Sequence, residues 1–447
     1  MTGLVVAAPQ SGSGKTAFTC ALLAALKRRG FDPCSFKCGP DYIDPMFHRS
    51  VLGVDCRNLD LFLASENRVQ EIFTAGTCGH GAAVVEGAMG LYDGLSFSDR
   101  ASAWHVSQVL GLPIVLVLRP RGASLTLAAQ LKGLLEFRSP CPIAGIVLND
   151  CREGLYRSLA PMLERETGLP VLGFLPHMEE AQLPSRHLGL YTAGEIKDLN
   201  HRIEALSLAL EKHVDLDRLV DLCSIPIPPH GPSILSADRK IPIAVARDEA
   251  FCFTYAETLE ALEQAGGVPV FFSPIHDSGL PTGVGGLYLP GGYPELHAQA
   301  LSKNEAMRAA VQTAVEGGLP TVAECGGFLY LGRELTDADG ITYPMTGVLP
   351  GSGFPTGKLV RFGYAHLTAQ EDSLLFRAGE SIPVHEFHHW DSTENGSTFH
   401  AEKPGAGRSW DCGFASQTLY AAFPHLYFWG DNKLAERFVS AASTYLS

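Results

Sequence analysis

Two short stretches carry residue types that can make and break bonds. In "APQSGSGKT", residues 8–16, Gly12 and Gly14 stand in front of Lys15 and Thr16, with Ser11 and Ser13 between them. This pattern suits a polyphosphate: glycines let backbone N–H groups close on the oxygens, a helix N-terminus adds its positive end, the lysine reaches the outer phosphates and the threonine offers its hydroxyl to Mg²⁺. The first glycine of G-x-x-x-x-G-K-[ST] is replaced by Pro9. In "LPTVAECGGFLYL", residues 319–331, Cys325 follows an apolar strand and precedes two glycines and a helical run. Strand, tight turn and helix form an elbow that exposes a nucleophile, with the Gly326 N–H directed toward an oxyanion. A thiol nucleophile needs a base, and "FPHLYFWG" supplies His425; "LPGGYPE", residues 289–295, adds further backbone donors, Gly292 among them.

Carboxylates that can serve a metal and a phosphate lie nearby in the pattern. Glu86 ends the apolar "AAVVEG" and Asp93 follows one loop later, while "KCGPDYIDP" carries Asp41 and Asp44 in a Gly/Pro loop after a short strand. Asn149, closing "GIVLN", stands at a strand end where it can contact adenine. "HEFHH", residues 385–389, formally matches the H-E-x-x-H of zinc proteases. Pro383 and the aromatic and β-branched neighbours predict an extended strand there instead, and no third ligand is evident, so zinc is not expected.

The elements that must position these residues follow an α/β rhythm. Apolar runs ("LVVAA", "AAVVEG", "PIVLVL", "IAGIVLN", "LPVLGFL") alternate with helix-length segments to about residue 175, and the rhythm restarts with "IPIAVA", "VPVFFS", "GGLYLPGG" and "LPTVAEC". Alternation of this kind predicts parallel sheets. Between them, "IPIPPHGPSILSADRKIP" is rich in proline and glycine without periodicity. The division expected is therefore an ATP-binding domain over 1–228, a linker over 229–240 and a second α/β domain over 241–447. The charge of −14 argues against a general nucleic-acid or anionic-membrane surface, and the 11 cysteines include no C-x-x-C pair, which fits a reducing cytoplasm. Apolar runs such as "GLPIVLVL" fall far short of the roughly 20 residues a membrane helix needs.

Taken together, "SGSGKT", "FKCGPDYIDP", "NLD" (58–60), "VVEGAMGLYDG", "LPSRHLGL" (183–190), "ARDEAFCFTY", "LPGGYPELHA", "ECGGFLYLG" and "HEFHHW" resemble the cobyrinic acid a,c-diamide synthases, glutamine-dependent amidotransferases that join a dethiobiotin-synthetase-like ATPase to a class I glutaminase. The resemblance spans both halves. It implies a P-loop parallel-sheet ATPase domain followed by a class I glutaminase domain, with ATP, L-glutamine and a corrinoid polycarboxylate as substrates and Mg²⁺ as cofactor. Carried over by residue, it implies Cys325 as thioester nucleophile and His425 as its base, and ATP contacts from Ser11 through Thr16 and from Asn149. It further implies Mg²⁺ at Thr16, Asp41 and Glu86, and Tyr42, Asp44 and Asp93 beside the carboxylate being activated. Neither nucleic acid nor membrane is expected as partner, and a homodimer is compatible with these readings. Two departures stand out. Many class I glutaminases have H-x-E, where Tyr427 stands here, so the third triad member stays unassigned, and Arg119 follows the "VLV" strand where an acidic residue is frequent. Amide synthases acting on nickel-sirohydrochlorin or on other corrinoid carboxylates (cobyric acid synthase) remain alternatives, as does, remotely, a partitioning P-loop ATPase.

Overall fold

The computed structural model describes residues 1–179, 199–228 and 240–447, with the backbone alone at 185–186 and 189–190. The expected linker, except Lys240, and half of "LPSRHLGL" lie outside the described residues. The chain forms two compact units, Met1–Pro232 and Ser233–Ser447.

The first unit has parallel strands β1 (Thr2–Ala7), β2 (Pro33–Cys38), β3 (Cys56–Leu59), β4 (Ala82–Glu86), β5 (Ile114–Leu118), β6 (Ile143–Leu148) and β7 (Val171–Phe174), of which β1, β4, β5, β6 and β7 are the apolar runs of the sequence. Their order across the sheet is β3-β2-β4-β1-β5-β6-β7. Every residue of β1, β2, β4 and β5 is buried, because helices cover both faces of a parallel sheet; β1, β4 and β5 read as largely apolar runs, whereas β2 carries the buried Ser35 and Lys37. The register sets the site: Val6 of β1 lies beside Glu86 of β4, and Glu86 beside Lys37 of β2. Helix α1 (Lys15–Arg28) starts directly after the phosphate loop, and the short α2 (Ile43–Phe47) follows β2. The carboxyl ends of β1, β2 and β4 therefore open toward one crevice, where ligands gather in such sheets.

The second unit is built on β8 (Ile241–Ala246), β9 (Gly267–Phe272), β10 (Gly286–Leu289), β11 (Thr321–Glu324), β12 (Arg361–Ala369), β13 (Ser381–His388), β14 (Phe414–Ala415) and β15 (Leu419–Ala422). Its main sheet has the order β9-β8-β10-β11-β15-β14, parallel except for the β14–β15 pair. Helix α3 (Gly326–Leu331) leaves β11 through Cys325, and α4 (Asn432–Tyr445) closes the chain. The sequence rhythm does not reveal the antiparallel layer formed by β12, β13 and strands 399–402 and 409–412. β12 and β13 mix charged, glycine and apolar residues, so neither alternation nor a buried run stands out along them. The first four residues of "HEFHH" belong to β13, which ends at His388, extended as their neighbours demand.

Candidate functional site

The phosphate loop is shaped by two left-handed glycines, Gly12 at φ 76° and Gly14 at φ 96°. Gly14 has a second reason to lack a side chain: a Cβ there would stand 1.9 Å from Asn149 Nδ2. That amide donates to Ser13 O at 3.0 Å, so Asn149 braces the loop from below. Ser13 Oγ donates to Gln10 O at 2.9 Å and holds the turn where Pro9 replaces the usual glycine. Lys15 donates to Met89 O, and burial, then the charge of Lys37, lowers its pKa from the ordinary value.

Around the strand ends Lys37 gathers the acidic residues. Its Nζ lies 2.5 Å from Asp44 Oδ2, 2.8 Å from Glu86 Oε1 and 3.9 Å from Asp41 Oδ2. Burial works against the charged lysine, but the three carboxylates outweigh it and hold its pKa well above the ordinary value. Burial likewise opposes ionisation of Asp44, and Lys37 reverses the balance, so its pKa ends below the usual one. Lys37 was not singled out in the sequence; its position opposite Glu86 comes from strand register, which local spacing does not encode.

The two aspartates of "GPDYIDP" have different tasks. Asp41 Oδ1 accepts from the Ile43 and Asp44 N–H groups at 2.9 and 3.1 Å, the geometry of a turn former opening α2, and its burial, then Asp44, raises its pKa to about 7. Asp44 is the buried ion-pair partner. Tyr42 sits between them at the start of α2. Asp93 closes its own loop by accepting from Gly90 N–H at 2.9 Å, and its charge is felt at Lys15. Arg119 is turned aside, paired with Asp150, which also meets His177 Nδ1 at 2.6 Å.

Glu86 decides whether a divalent cation fits. Its Oε1 accepts from Thr16 Oγ1 at 2.6 Å and from Lys37, whereas Oε2 is buried without a hydrogen-bond partner, 3.9 Å from His48 Nε2. Burial lowers His48 to a pKa of about 4, so this neighbour is neutral and leaves the second oxygen uncompensated. An orphaned carboxylate oxygen beside a threonine hydroxyl is a hard-oxygen donor set of the kind Mg²⁺ uses with one or two protein carboxylates and substrate phosphates. Among the described residues no three His, Cys, Asp or Glu side chains cluster as a metal site, "HEFHH" included.

In the second unit the elbow is explicit. Cys325 has φ 47°, a conformation that costs a non-glycine residue energy, and its thiol is buried. The Cys325 N–H donates to Ala422 O at 2.8 Å, which ties the turn to β15. Three residues beyond Ala422, His425 exchanges backbone hydrogen bonds with His385 of β13, 2.9 and 3.4 Å. Gly291 measures how close the two reactive groups lie: a Cβ there would be 2.5 Å from His425 Cε1, 3.4 Å from His425 Nε2 and 3.5 Å from Cys325 Cβ. Gly326 and Gly292 share this wall, a Cβ on Gly326 falling 3.0 Å from the Gly292 nitrogen. Burial pushes the thiol far above its ordinary pKa, with Glu295, Glu386 and Glu324 adding to it, and the Gly326 N–H acting in the opposite sense. Such a thiol is not a resting thiolate; it needs a base at the moment of attack. Glu324, also unremarked in the sequence, is buried at the end of β11 with Oε2 3.5 Å from His425 Nδ1.

Comparison with known proteins agrees on both units. Residues 4–190 match the CobQ/CobB/MinD/ParA nucleotide binding domain, and residues 242–433 match the CobB/CobQ-like glutamine amidotransferase domain. The chain is 40% identical over 437 residues to a cobyrinate a,c-diamide synthase of Clostridium acetobutylicum, covering 96% of this chain and 98% of that one. It is 40% identical over 447 residues to the protein of that name from Synechococcus sp., with 98% of each covered, and 35% identical over 450 residues to that of Caldanaerobacter subterraneus subsp. tengcongensis, with 99% and 98% covered.

Proposed function

The chain belongs to the cobyrinate a,c-diamide synthase family, and from that premise we propose that it amidates the a and c side-chain carboxylates of a cobyrinic-type corrinoid, using ATP and taking ammonia from glutamine. The observation that carries the reading is the pairing of a phosphate loop with a lysine–carboxylate cluster in one unit and a cysteine elbow facing His425 in the other. We assign the synthetase to residues 1–228 and the glutaminase to 241–447.

In the glutaminase, His425 Nε2 takes the Cys325 proton as Sγ attacks the amide carbon of glutamine, and the oxyanion is received by the Gly326 and Gly292 N–H groups. The proton then passes from Nε2 to the departing nitrogen, the C–N bond breaks and ammonia leaves. Water, deprotonated by the same imidazole, cleaves the thioester to glutamate and restores the thiol.

In the synthetase, the substrate carboxylate attacks the γ-phosphorus of ATP and ADP departs, leaving an acyl phosphate that ammonia converts to amide and phosphate. Residues Ser11–Thr16 cradle the phosphates, with Asn149 holding the loop in shape. Lys15 and Lys37 bring positive charge to a site whose own carboxylates would repel the anionic reactants, in a chain of net charge −14. Thr16, Glu86 and Asp41 would hold Mg²⁺, which supplies charge neutralisation during phosphoryl transfer. Tyr42, Asp44 and Asp93 border the place of the activated carboxylate.

The test is mass gain: with ATP, Mg²⁺ and glutamine, cobyrinic acid should acquire two amides. No gain on cobyrinic or hydrogenobyrinic acid, together with amidation of nickel-sirohydrochlorin, would replace the substrate assignment.

A further inference from the structure

We propose that Glu324, the residue before the nucleophile, is the carboxylate that orients His425, completing the triad left open at Tyr427; the inference rests on the glutaminase reading of Cys325. Strand pairing puts it there. Glu324 is the last residue of β11 and lies in register with Ala422 of β15, whose continuation carries His425. The carboxylate is fixed on two sides, Oε2 accepting from Tyr288 OH at 3.2 Å and Oε1 from the Leu426 N–H at 3.3 Å. Its Oε2 stands 3.5 Å from His425 Nδ1, and both side chains are nearly sealed, at 1% and 3% exposure. Catalytic hydrogen bonds in a ligand-free site are often this long and tighten when substrate binds.

The ring's two nitrogens face different things. Nδ1 faces Glu324, and Nε2 lies on the Gly291 side, the side on which Cys325 Cβ is found. A carboxylate at Nδ1 holds the tautomer that keeps its proton there, which leaves Nε2 as the acceptor for the thiol proton, and it stabilises the imidazolium once that proton arrives. The Nδ1 proton stays on the ring throughout. The Tyr427 ring packs edge-on against Tyr255 at 5.1 Å. The other groups facing this centre are poorer candidates. Glu386 Oε2 lies 3.4 Å from His388 Nε2 and 3.9 Å from Arg361 Nε, Glu295 is raised to about 7 by burial, and burial keeps His385, at about 3, neutral.

A purely structural Glu324 would only anchor the Pro424–Leu426 segment, and kinetics separates the two roles. Glutamine hydrolysis by the full chain should be followed against pH for wild type, Glu324→Gln, Glu324→Asp and Cys325→Ser, with thermal melts as the folding control. Glu324→Gln should lower kcat by about 10²-fold or more with KM within about threefold. Because loss of the carboxylate destabilises the imidazolium, the acid limb of kcat/KM should move to lower pH. Glu324→Asp keeps the charge and should recover part of kcat with the limb near its wild-type position. A Glu324→Gln kcat within threefold of wild type, or equal losses in both variants with an unmoved limb, would overturn the proposal. Glutamine hydrolysis by Cys325→Ser would instead remove the glutaminase reading beneath it.

Discussion

Asp44 and Asp41 stand three residues apart and illustrate what a side chain's partners decide. Asp41 serves the turn through two backbone N–H groups, whereas Asp44 is the closest partner of Lys37. Asp44→Asn keeps the size and removes the charge, so Lys37 loses its shortest contact and its place. Misplacement of about an ångström in such a site costs about 10²-fold in rate. Amidation should slow by that order from glutamine and from ammonium alike, leaving the ratio of the two rates unchanged; parallel assays check this, and a near-normal ammonium rate would reduce Asp44 to a helix-start residue. Lys15, Thr16 and Cys325 stood out in the sequence as candidates because glycine spacing around them is a local signal with few other uses. Lys37 and Glu324 did not, since each meets its neighbours through strand register, Lys37 beside Glu86 and Glu324 beside Ala422.

At the scale of elements, strand-end loops do the positioning and glycines set the clearances. Gly291 leaves room for the side chains of Cys325 and His425. Gly291→Ala would force His425 aside, because the new methyl would overlap its ring at 2.5 Å. The glutamine-driven rate should fall by about 10²-fold while the ammonium-driven rate holds; equal loss of both would mean that the unit had unfolded. The turn between β12 and β13 is tied to α4 by a two-pronged pair, Arg437 to Glu380 at 2.5 and 2.8 Å, and Arg437 also donates to Leu375 O at 2.7 Å. The Arg437 hydrogen bonds lower the Glu380 pKa to about 2. A depressed carboxylate contributes stability that is fully present above its unfolded value, about 4.3, and is lost as pH falls toward about 2. The pair is partly exposed, Glu380 at 34%, so solvent screening leaves roughly 1 kcal/mol. Urea melts of Glu380→Gln should show that deficit at pH 7 and a shrinking one between pH 4.3 and 3; a pH-independent deficit would assign it to packing. Most of the parallel strands were readable as buried apolar runs; β2 and β3, with Lys37, Arg57 and Asn58, were not. The antiparallel layer carrying "HEFHH" was not, because its strands draw their stability from cross-strand partners far along the chain, as His385 does from Tyr364 and from the backbone of His425.

The whole molecule combines two α/β units, each built around a largely parallel sheet with reactive residues at strand ends. Ammonia is mostly protonated near neutral pH and the ammonium ion cannot attack, which gives a reason for one chain to hold both a glutaminase and a synthetase. The chain-long α/β rhythm made this architecture legible, and no helix among the described residues is long and apolar enough to cross a membrane. The proposed activity joins two separable half-reactions in one product. It is tested most directly by Cys325→Ser, assayed by mass for amide gain on cobyrinic acid with ATP and either glutamine or ammonium. No gain from glutamine is expected, with an ammonium-driven rate within about twofold of wild type, since the alcohol is a far weaker nucleophile and the synthetase needs only ammonia. Undiminished gain from glutamine, or loss of the ammonium reaction in a protein that melts normally, would contradict it.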